Sequence, residues 1–173
     1  KRCGHLDGKD IISQNQMVGK IKAAKDTIKD ESTIIVARTD AIAVEGFEAA
    51  LSRAEAYLEA GADMLFIEAP TSIQQMEDIG QKFRKRTSLL ANMVEGGKTP
   101  RLSLQQLEKL GFNFIIFPGS MIRTFAFAGE AYLKSLKQFG STDKVRDRML
   151  DFSQLNDLLG TKELLDEIKK YDE

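Results

Sequence analysis

Two periodicities alternate along the middle of the chain. Ile34-Ile35-Val36-Ala37 is a short apolar run rich in β-branched residues, the pattern of a buried parallel strand. Over residues 45–60 the apolar positions Phe47, Ala50, Leu51, Ala54, Tyr57 and Leu58 recur at steps of three and four. Glu48, Arg53, Glu55 and Glu59 fall mainly on the opposite face, so this stretch predicts an amphipathic helix stopped by Gly61. The unit then repeats. Met64-Leu65-Phe66-Ile67 predicts a second strand, and Thr71 or Ser72 can cap a helix over 73–85. Leu89-Leu90-Ala91 predicts a third strand, followed by a loop over 95–100 and a helix from Ser103 to the stop at Gly111. A fourth strand is expected over 112–117 and a long helix over 120–139, closed by Gly140. Ahead of all this, residues 14–28 predict one more helix, with Met17, Ile21, Ala24 and Ile28 on its apolar side.

Four strands each followed by a helix, at a spacing of roughly 25 residues, imply a parallel sheet with right-handed crossovers. An open doubly wound sheet and part of a (β/α)8 barrel both fit. No Gly-x-Gly-x-x-Gly follows any strand, which favours the α/β barrel of TIM type. A full barrel takes about 250 residues, so this chain would supply roughly its second half. We expect residues 1–140 to form that half barrel and residues 141–173 a helical tail. The tail carries two short apolar stripes, Phe152, Leu155, Leu158, Leu159 and then Leu164, Leu165, Ile168, which need a partner surface.

Composition narrows the function classes. Twenty-five Lys and Arg against 26 Asp and Glu leave a net charge of -1, without the basic excess of a protein that grips nucleic acid or a membrane surface. Apolar runs are far shorter than the roughly 20 residues of a membrane span. A single Cys forms no internal disulfide, and a cytoplasmic location, or an organellar one, is expected. The sequence opens at Lys1 rather than Met and is expected to be a piece of a longer polypeptide.

In parallel α/β folds the working groups collect where strands end. The polar residues there are Arg38-Thr39-Asp40, Glu68, Asn92 with Glu95, and Ser120 with Arg123. Lys1-Arg2-Cys3-Gly4-His5 would sit just past an earlier strand that this sequence lacks. Such a rim suits a small polyanion, because guanidinium groups clamp carboxylates bidentately and an amide completes the cradle. Cations and an imidazole beside Cys3 would lower the thiol pKa if they are also near in space. Each group has a structural role open to it as well. Arg38 and Asp40 can form a local ion pair, Glu68 can pair with a neighbouring Lys, Gly96-Gly97-Lys98 can be a turn, and Cys3 and His5 can be buried or hydrogen-bonded.

Lys1-Arg2-Cys3-Gly4-His5-Leu6 resembles the active-site hexapeptide of the isocitrate lyase/phosphoenolpyruvate mutase superfamily. Ala37-Arg38-Thr39-Asp40-Ala41, Glu59-Ala60-Gly61-Ala62-Asp63, Phe66-Ile67-Glu68-Ala69 and Asn92-Met93-Val94-Glu95-Gly96-Gly97-Lys98-Thr99-Pro100 follow in the superfamily's order. The resemblance implies a (β/α)8 barrel acting with Mg2+ on α-hydroxy or α-keto di- and tricarboxylates. Its lyases break a carbon–carbon bond by a retro-aldol step. It implies that Cys3 protonates the enolate-like product, with His5 beside it in the catalytic motif. Lys1 and Gly4 would contact a substrate carboxylate, Arg38 the nascent α-keto acid, Glu68 and Asn92 the succinate-like side, and Arg123 a further carboxylate. A thiol whose ordinary pKa is near 8.5 suits a group that must give up and regain a proton. The superfamily's metal-binding acids and keto-acid loop lie before the Cys motif, so the Mg2+ ligands are expected upstream of Lys1 and this piece alone is expected to be inactive. In the tail, Phe152 stands where methylisocitrate lyases carry an Arg, which resembles the dimethylmalate lyase and carboxyphosphonoenolpyruvate mutase branch.

The leading expectation is therefore a Mg2+-dependent lyase of a 2-hydroxy di- or tricarboxylate, such as 2-methylisocitrate or 2,3-dimethylmalate. A phosphonomutase, an oxaloacetate hydrolase or decarboxylase, and a non-catalytic assembly module are the alternatives. The expected partners are a small carboxylate substrate and copies of the same chain, in a homotetramer that exchanges a late helix.

Overall fold

A computed structural model describes residues 8–171. The order of elements follows the repeating pattern: α1 (Gln14–Thr27), β1 (Val36–Thr39), α2 (Phe47–Glu59), β2 (Met64–Ile67), α3 (Ile73–Phe83), β3 (Ser88–Asn92), α4 (Leu104–Leu110), β4 (Phe114–Ile116), α5 (Ser120–Phe139), α6 (Phe152–Leu158) and α7 (Thr161–Ile168). Local chemistry explains the boundaries. Ser13 and Ser103 each cap a helix in a reciprocal box with Gln16 and Gln106, and Ser72 caps α3 through the Gln75 N–H. Gly111 ends α4 in the left-handed conformation (φ 99°), where any side chain would be strained.

The four strands are all parallel and lie in the order β1-β2-β3-β4, each beside its successor in the chain. This is the order in which a (β/α) barrel is wound. One face of the sheet packs Leu65, Ile67, Leu89 and Ala91 against Ala50, Ala54, Met76, Ile79 and Phe83 of the helices. The other face gathers Met64, Phe66, Leu90 and Ile116.

The first strand differs from the apolar run that predicts it. Ile34 is 60% exposed, and pairing begins only at Val36, opposite Met64, and runs through Thr39 opposite Ile67. Asp63 sets this start. Its carboxylate accepts the Ile35 N–H at 2.9 Å, while the Asp63 and Met64 N–H groups donate to the Ile35 carbonyl. Arg38 and Thr39 consequently lie inside the strand rather than after it.

The Ile35 N–H, and then the Lys25 ammonium at 2.9 Å, hold the Asp63 carboxyl below its ordinary pKa, and Arg53 does the same for Glu45. A carboxyl with a depressed folded pKa contributes stability above its unfolded pKa, and that stability is lost as pH falls through the folded value. The thermal midpoint is therefore expected to be flat down to about pH 5 and to fall below about pH 4. Asp63→Asn should remove part of that acid slope; a slope identical to the wild type's would exclude Asp63 as a contributor.

The chain divides into two compact units, one through Ser120 and one from Met121. The second unit begins within α5 and contains α6, α7 and a 3-10 turn over Asp143–Arg148. Asp151 caps α6 in another reciprocal box, with Gln154, and Phe152 behind it is exposed.

Candidate functional site

Parallel in-register pairing sets the C-terminal ends of β1, β2 and β3 side by side, and the polar residues of the first unit converge there. Arg38 stands opposite Phe66 in the ladder, and its guanidinium carbon lies 4.7 Å from the centre of that ring. Asp40 stands one residue past the end of β1, at the start of the 3-10 turn over Ala41–Ala43, and lies beside the guanidinium. Its carboxylate takes the Arg38 fork in two parallel hydrogen bonds, Nε to Oδ2 at 2.8 Å and Nη2 to Oδ1 at 2.9 Å. Arg38 Nη2 also lies 3.1 Å from Glu68 Oε2, so the guanidinium bridges two carboxylates.

Glu68 is almost wholly buried (1% exposed), one residue past β2. Burial of a carboxylate is tolerable only with charge and hydrogen-bond partners, and Arg38 supplies the charge. Asn92, the last residue of β3, donates its amide to both Glu68 oxygens at 3.3 and 3.4 Å. The other end of that amide, Asn92 Oδ1, is buried and meets no donor among the described residues. A buried acceptor left in this way invites a hydrogen-bond donor from a ligand.

Lys9 completes the cluster. Its ammonium lies 3.5 Å from Asp40 Oδ1, and its side chain is only 6% exposed. Arg38 and Lys9 carry two positive charges and Asp40 and Glu68 two negative, so these four groups balance. The cluster opens on a cavity of about 780 Å³ bordered by Lys9, Arg38, Thr39 and Asp40 together with Ile12, Val36 and Tyr57. Arg53 forms another part of its wall. It clamps Glu45 through two 2.7 Å hydrogen bonds and donates to the Ile12 carbonyl at 3.0 Å. Glu45 holds the Arg53 guanidinium even more firmly protonated than usual.

The sequence-predicted residues thus divide. Arg38, Glu68 and Asn92 come together, and the Arg38–Asp40 ion pair forms as well. Glu68 pairs with Arg38, because the ladder sets β1 beside β2. Ser120 donates to the Glu95 carboxylate within the first unit. The Gly96-Gly97 segment is a turn, closed by the Gly97 N–H on the Val94 carbonyl. Arg123 belongs to the second unit. Lys1, Cys3, Gly4 and His5 lie outside the described residues. Lys9 and Phe66 are the participants that sequence reading misses. The ladder position opposite Arg38 is a usable signal for Phe66, whereas nothing local marks Lys9. Among the described residues no group of three or more His, Cys, Asp or Glu side chains is arranged to hold a metal ion. No described helix is long and apolar enough to cross a membrane.

Comparison with known proteins agrees with this geometry. Residues 3–137 match the family model of phosphoenolpyruvate phosphomutase. The chain is 44% identical over 164 residues to 2,3-dimethylmalate lyase of Eubacterium barkeri, covering 95% of this chain and 56% of the relative. It is 42% identical over 160 residues to 2-methylisocitrate lyase of Aeropyrum pernix, covering 92% and 51%. The chain therefore spans about half the length of the curated relatives it matches. A crystal structure of 2,3-dimethylmalate lyase superposes with a TM-score of 0.86 at 31% identity, over 99% of this chain and 57% of that one. Phosphonopyruvate hydrolase, solved with oxalate and Mg2+, shares the fold at a TM-score of 0.80 and 22% identity, over 98% and 61%. The four-stranded sheet is thus the second half of a TIM-type barrel, as the strand–helix spacing predicts.

Proposed function

Because the chain belongs to the phosphoenolpyruvate phosphomutase family, we propose that it forms the C-terminal half of the barrel of a carbon–carbon lyase that cleaves a 2-hydroxy di- or tricarboxylate, of the 2,3-dimethylmalate or 2-methylisocitrate kind. The observation that carries this reading is the Arg38–Glu68–Asn92 cluster at the strand ends, with its buried acceptor Asn92 Oδ1. Identity above 40% to two lyases supports the same reaction type.

In the retro-aldol step a base removes the substrate hydroxyl proton and the oxygen lone pair becomes the carbonyl of an α-keto acid. The carbon–carbon bond breaks, and its electron pair passes to the carbon beside the remaining carboxylate. Protonation of that carbon, here assigned to Cys3 with His5 beside it, gives the saturated acid. Arg38 orients the keto-acid portion, its plane fixed by Asp40, Glu68 and the Phe66 ring. Glu68 and Asn92 line the far side, and Asn92 Oδ1 accepts from a hydroxyl or acid proton of the substrate. Lys1 and Gly4 belong to the same reading as carboxylate contacts, and Arg123 as a further one.

The balanced charges of Arg38, Lys9, Asp40 and Glu68 leave a substrate with two or three carboxylates in need of more positive charge. We assign that to Mg2+, which would supply electrostatic stabilisation of the developing oxyanion; its ligands lie outside the described residues. A homotetramer with an exchanged late helix is part of this proposal, supported by the exposed Phe125, Phe127 and Leu133 of α5.

Purified full-length polypeptide supplied with Mg2+ and a panel of 2-hydroxy dicarboxylates is expected to release pyruvate from a 2-methyl substrate or glyoxylate from an unsubstituted one. No keto acid from any member of the panel, with phosphorus NMR showing rearrangement of a phosphonate instead, would replace the lyase by a phosphonomutase.

A further inference from the structure

We propose that Ala69 and Pro70 are positioning residues, a strained turn that sets the Glu68 carboxylate where Arg38 and Asn92 meet it. Among the described residues Ala69 alone combines a side chain with a positive φ (58°). It is 3% exposed, so the conformation belongs to the packed interior rather than to a loose surface loop. Glycine takes such a φ freely, whereas an alanine is held there only by its surroundings.

The chain on either side supplies the constraint. Before the turn, the Glu68 N–H donates to the Thr39 carbonyl at 2.9 Å, which fixes the end of β2 against β1. After it, the Thr71 N–H donates to Gln75 Oε1 at 2.7 Å, and the Gln75 N–H donates to the Ser72 cap at 3.1 Å. Only Ala69 and Pro70 remain to turn the chain from strand to helix. The proline ring fixes its own φ at about −65° and crowds the right-handed helical region of the residue before it. An extended Ala69 would carry the chain about 3.3 Å farther along the strand, away from the cap it must reach. With both ordinary regions closed, positive φ is what is left. Packing leaves no slack. Ile67, Ala69 and Pro70 border, with Asn92, Met93 and Thr99, a void of only about 10 Å³, no larger than one water. A change of sign in φ at Ala69 must be taken up by Glu68 or by α3, and α3 is packed through Met76, Ile79 and Phe83. Glu68 is the part that moves.

The kinetic half of this inference rests on the lyase reading, which makes Glu68 a substrate-lining group. The other half, the strained turn and the place it gives Glu68, does not. The test uses the full-length polypeptide and three variants. Pro70→Ala reopens the right-handed region to Ala69, and is followed by steady-state cleavage and by its crystal structure. Ala69→Gly removes the strain and is compared in thermal midpoint with Ala54→Gly, at an equally buried alanine in the middle of α2.

In Pro70→Ala, Ala69 is expected at negative φ with the Glu68 carboxylate moved about 1 Å or more from Asn92, and KM is expected to rise about tenfold. A merely structural role for Pro70 would reduce the amount of folded enzyme and leave the KM of the remainder unchanged. Ala54→Gly should lower the midpoint by about 3–8 °C, the effect of losing a buried methyl and freeing a helical residue. Ala69→Gly loses the same methyl but also the strain, so its midpoint should stay within about 2 °C of the wild type or rise. Wild-type KM in Pro70→Ala, or an unmoved Glu68 in its crystal structure, overturns the positioning role. A midpoint in Ala69→Gly that falls as far as that of Ala54→Gly removes the strain and overturns the proposal, even if Pro70→Ala fails to fold. If the wild type cleaves nothing on the panel, the lyase reading falls, and the place of Glu68 in Pro70→Ala still decides the turn.

Discussion

Alanine in place of Gly80 is expected to destabilise the protein by about 3 kcal/mol, at the upper end of overpacking costs. For a chain of this size that is a fall of roughly 6–12 °C in thermal midpoint. Gly80 lies on the buried face of α3 with Met76, Ile79 and Phe83. A Cβ built there would stand 1.7 Å from the carbonyl oxygen of Leu110 and 2.9 Å from its carbonyl carbon. Those are backbone atoms at the end of α4, so no rotamer change relieves the overlap and the two helices must separate. The contact is reciprocal. A Cβ on Gly111 would meet the Arg84 side chain at 2.7 Å, in a backbone conformation that already excludes other residues. Gly19 in α1 is the control, because a Cβ there meets nothing within 4 Å. Gly19→Ala should stabilise by up to about 1 kcal/mol through helix propensity alone. A Gly80→Ala midpoint within about 2 °C of the wild type would show that α3 and α4 do not pack as described.

Serine in place of Cys3 is expected to lower kcat by roughly 10²–10⁴-fold, the range for removing an essential general acid. An alcohol holds its proton far more tightly than a thiol with an ordinary pKa near 8.5, so the substitution removes the donor while keeping its shape. KM should change little, because carboxylate binding is assigned to Arg38, Glu68, Asn92 and their neighbours. The pairing of lost kcat with retained KM separates a failed proton transfer from a failed binding site. Full activity in Cys3→Ser would end the proton-donor assignment and leave the binding cluster standing.

Much of the fold can be read from the residues, because its determinants are local. Ser103 before Leu104 and Gly111 after Leu110 bracket α4, and the apolar block from Met64 to Ile67 coincides with β2. The first strand is the instructive difference. Hydrophobicity marks Ile34 and Ile35, yet pairing is decided by the ladder against β2 and by the Asp63 clamp. Neither can be seen in a window of a few residues. The site divides along the same line. Arg38 and Asp40 are two residues apart in the chain, so their pairing can be read directly. The Glu68–Arg38 and Glu68–Asn92 contacts follow once parallel, sequential strands are assumed. The Lys9 tie crosses from a segment without periodic structure, and only three-dimensional proximity reveals it.

The strand order carries a kinetic consequence. Since β1, β2, β3 and β4 each pair with the next strand along the chain, every rung of the sheet closes over one intervening helix and no distant segment must be found. Loop-closure entropy stays small at each step, and relative contact order stays low for a parallel sheet. Growth can therefore follow the direction of ribosomal synthesis, each new strand–helix pair docking on the one laid down before it.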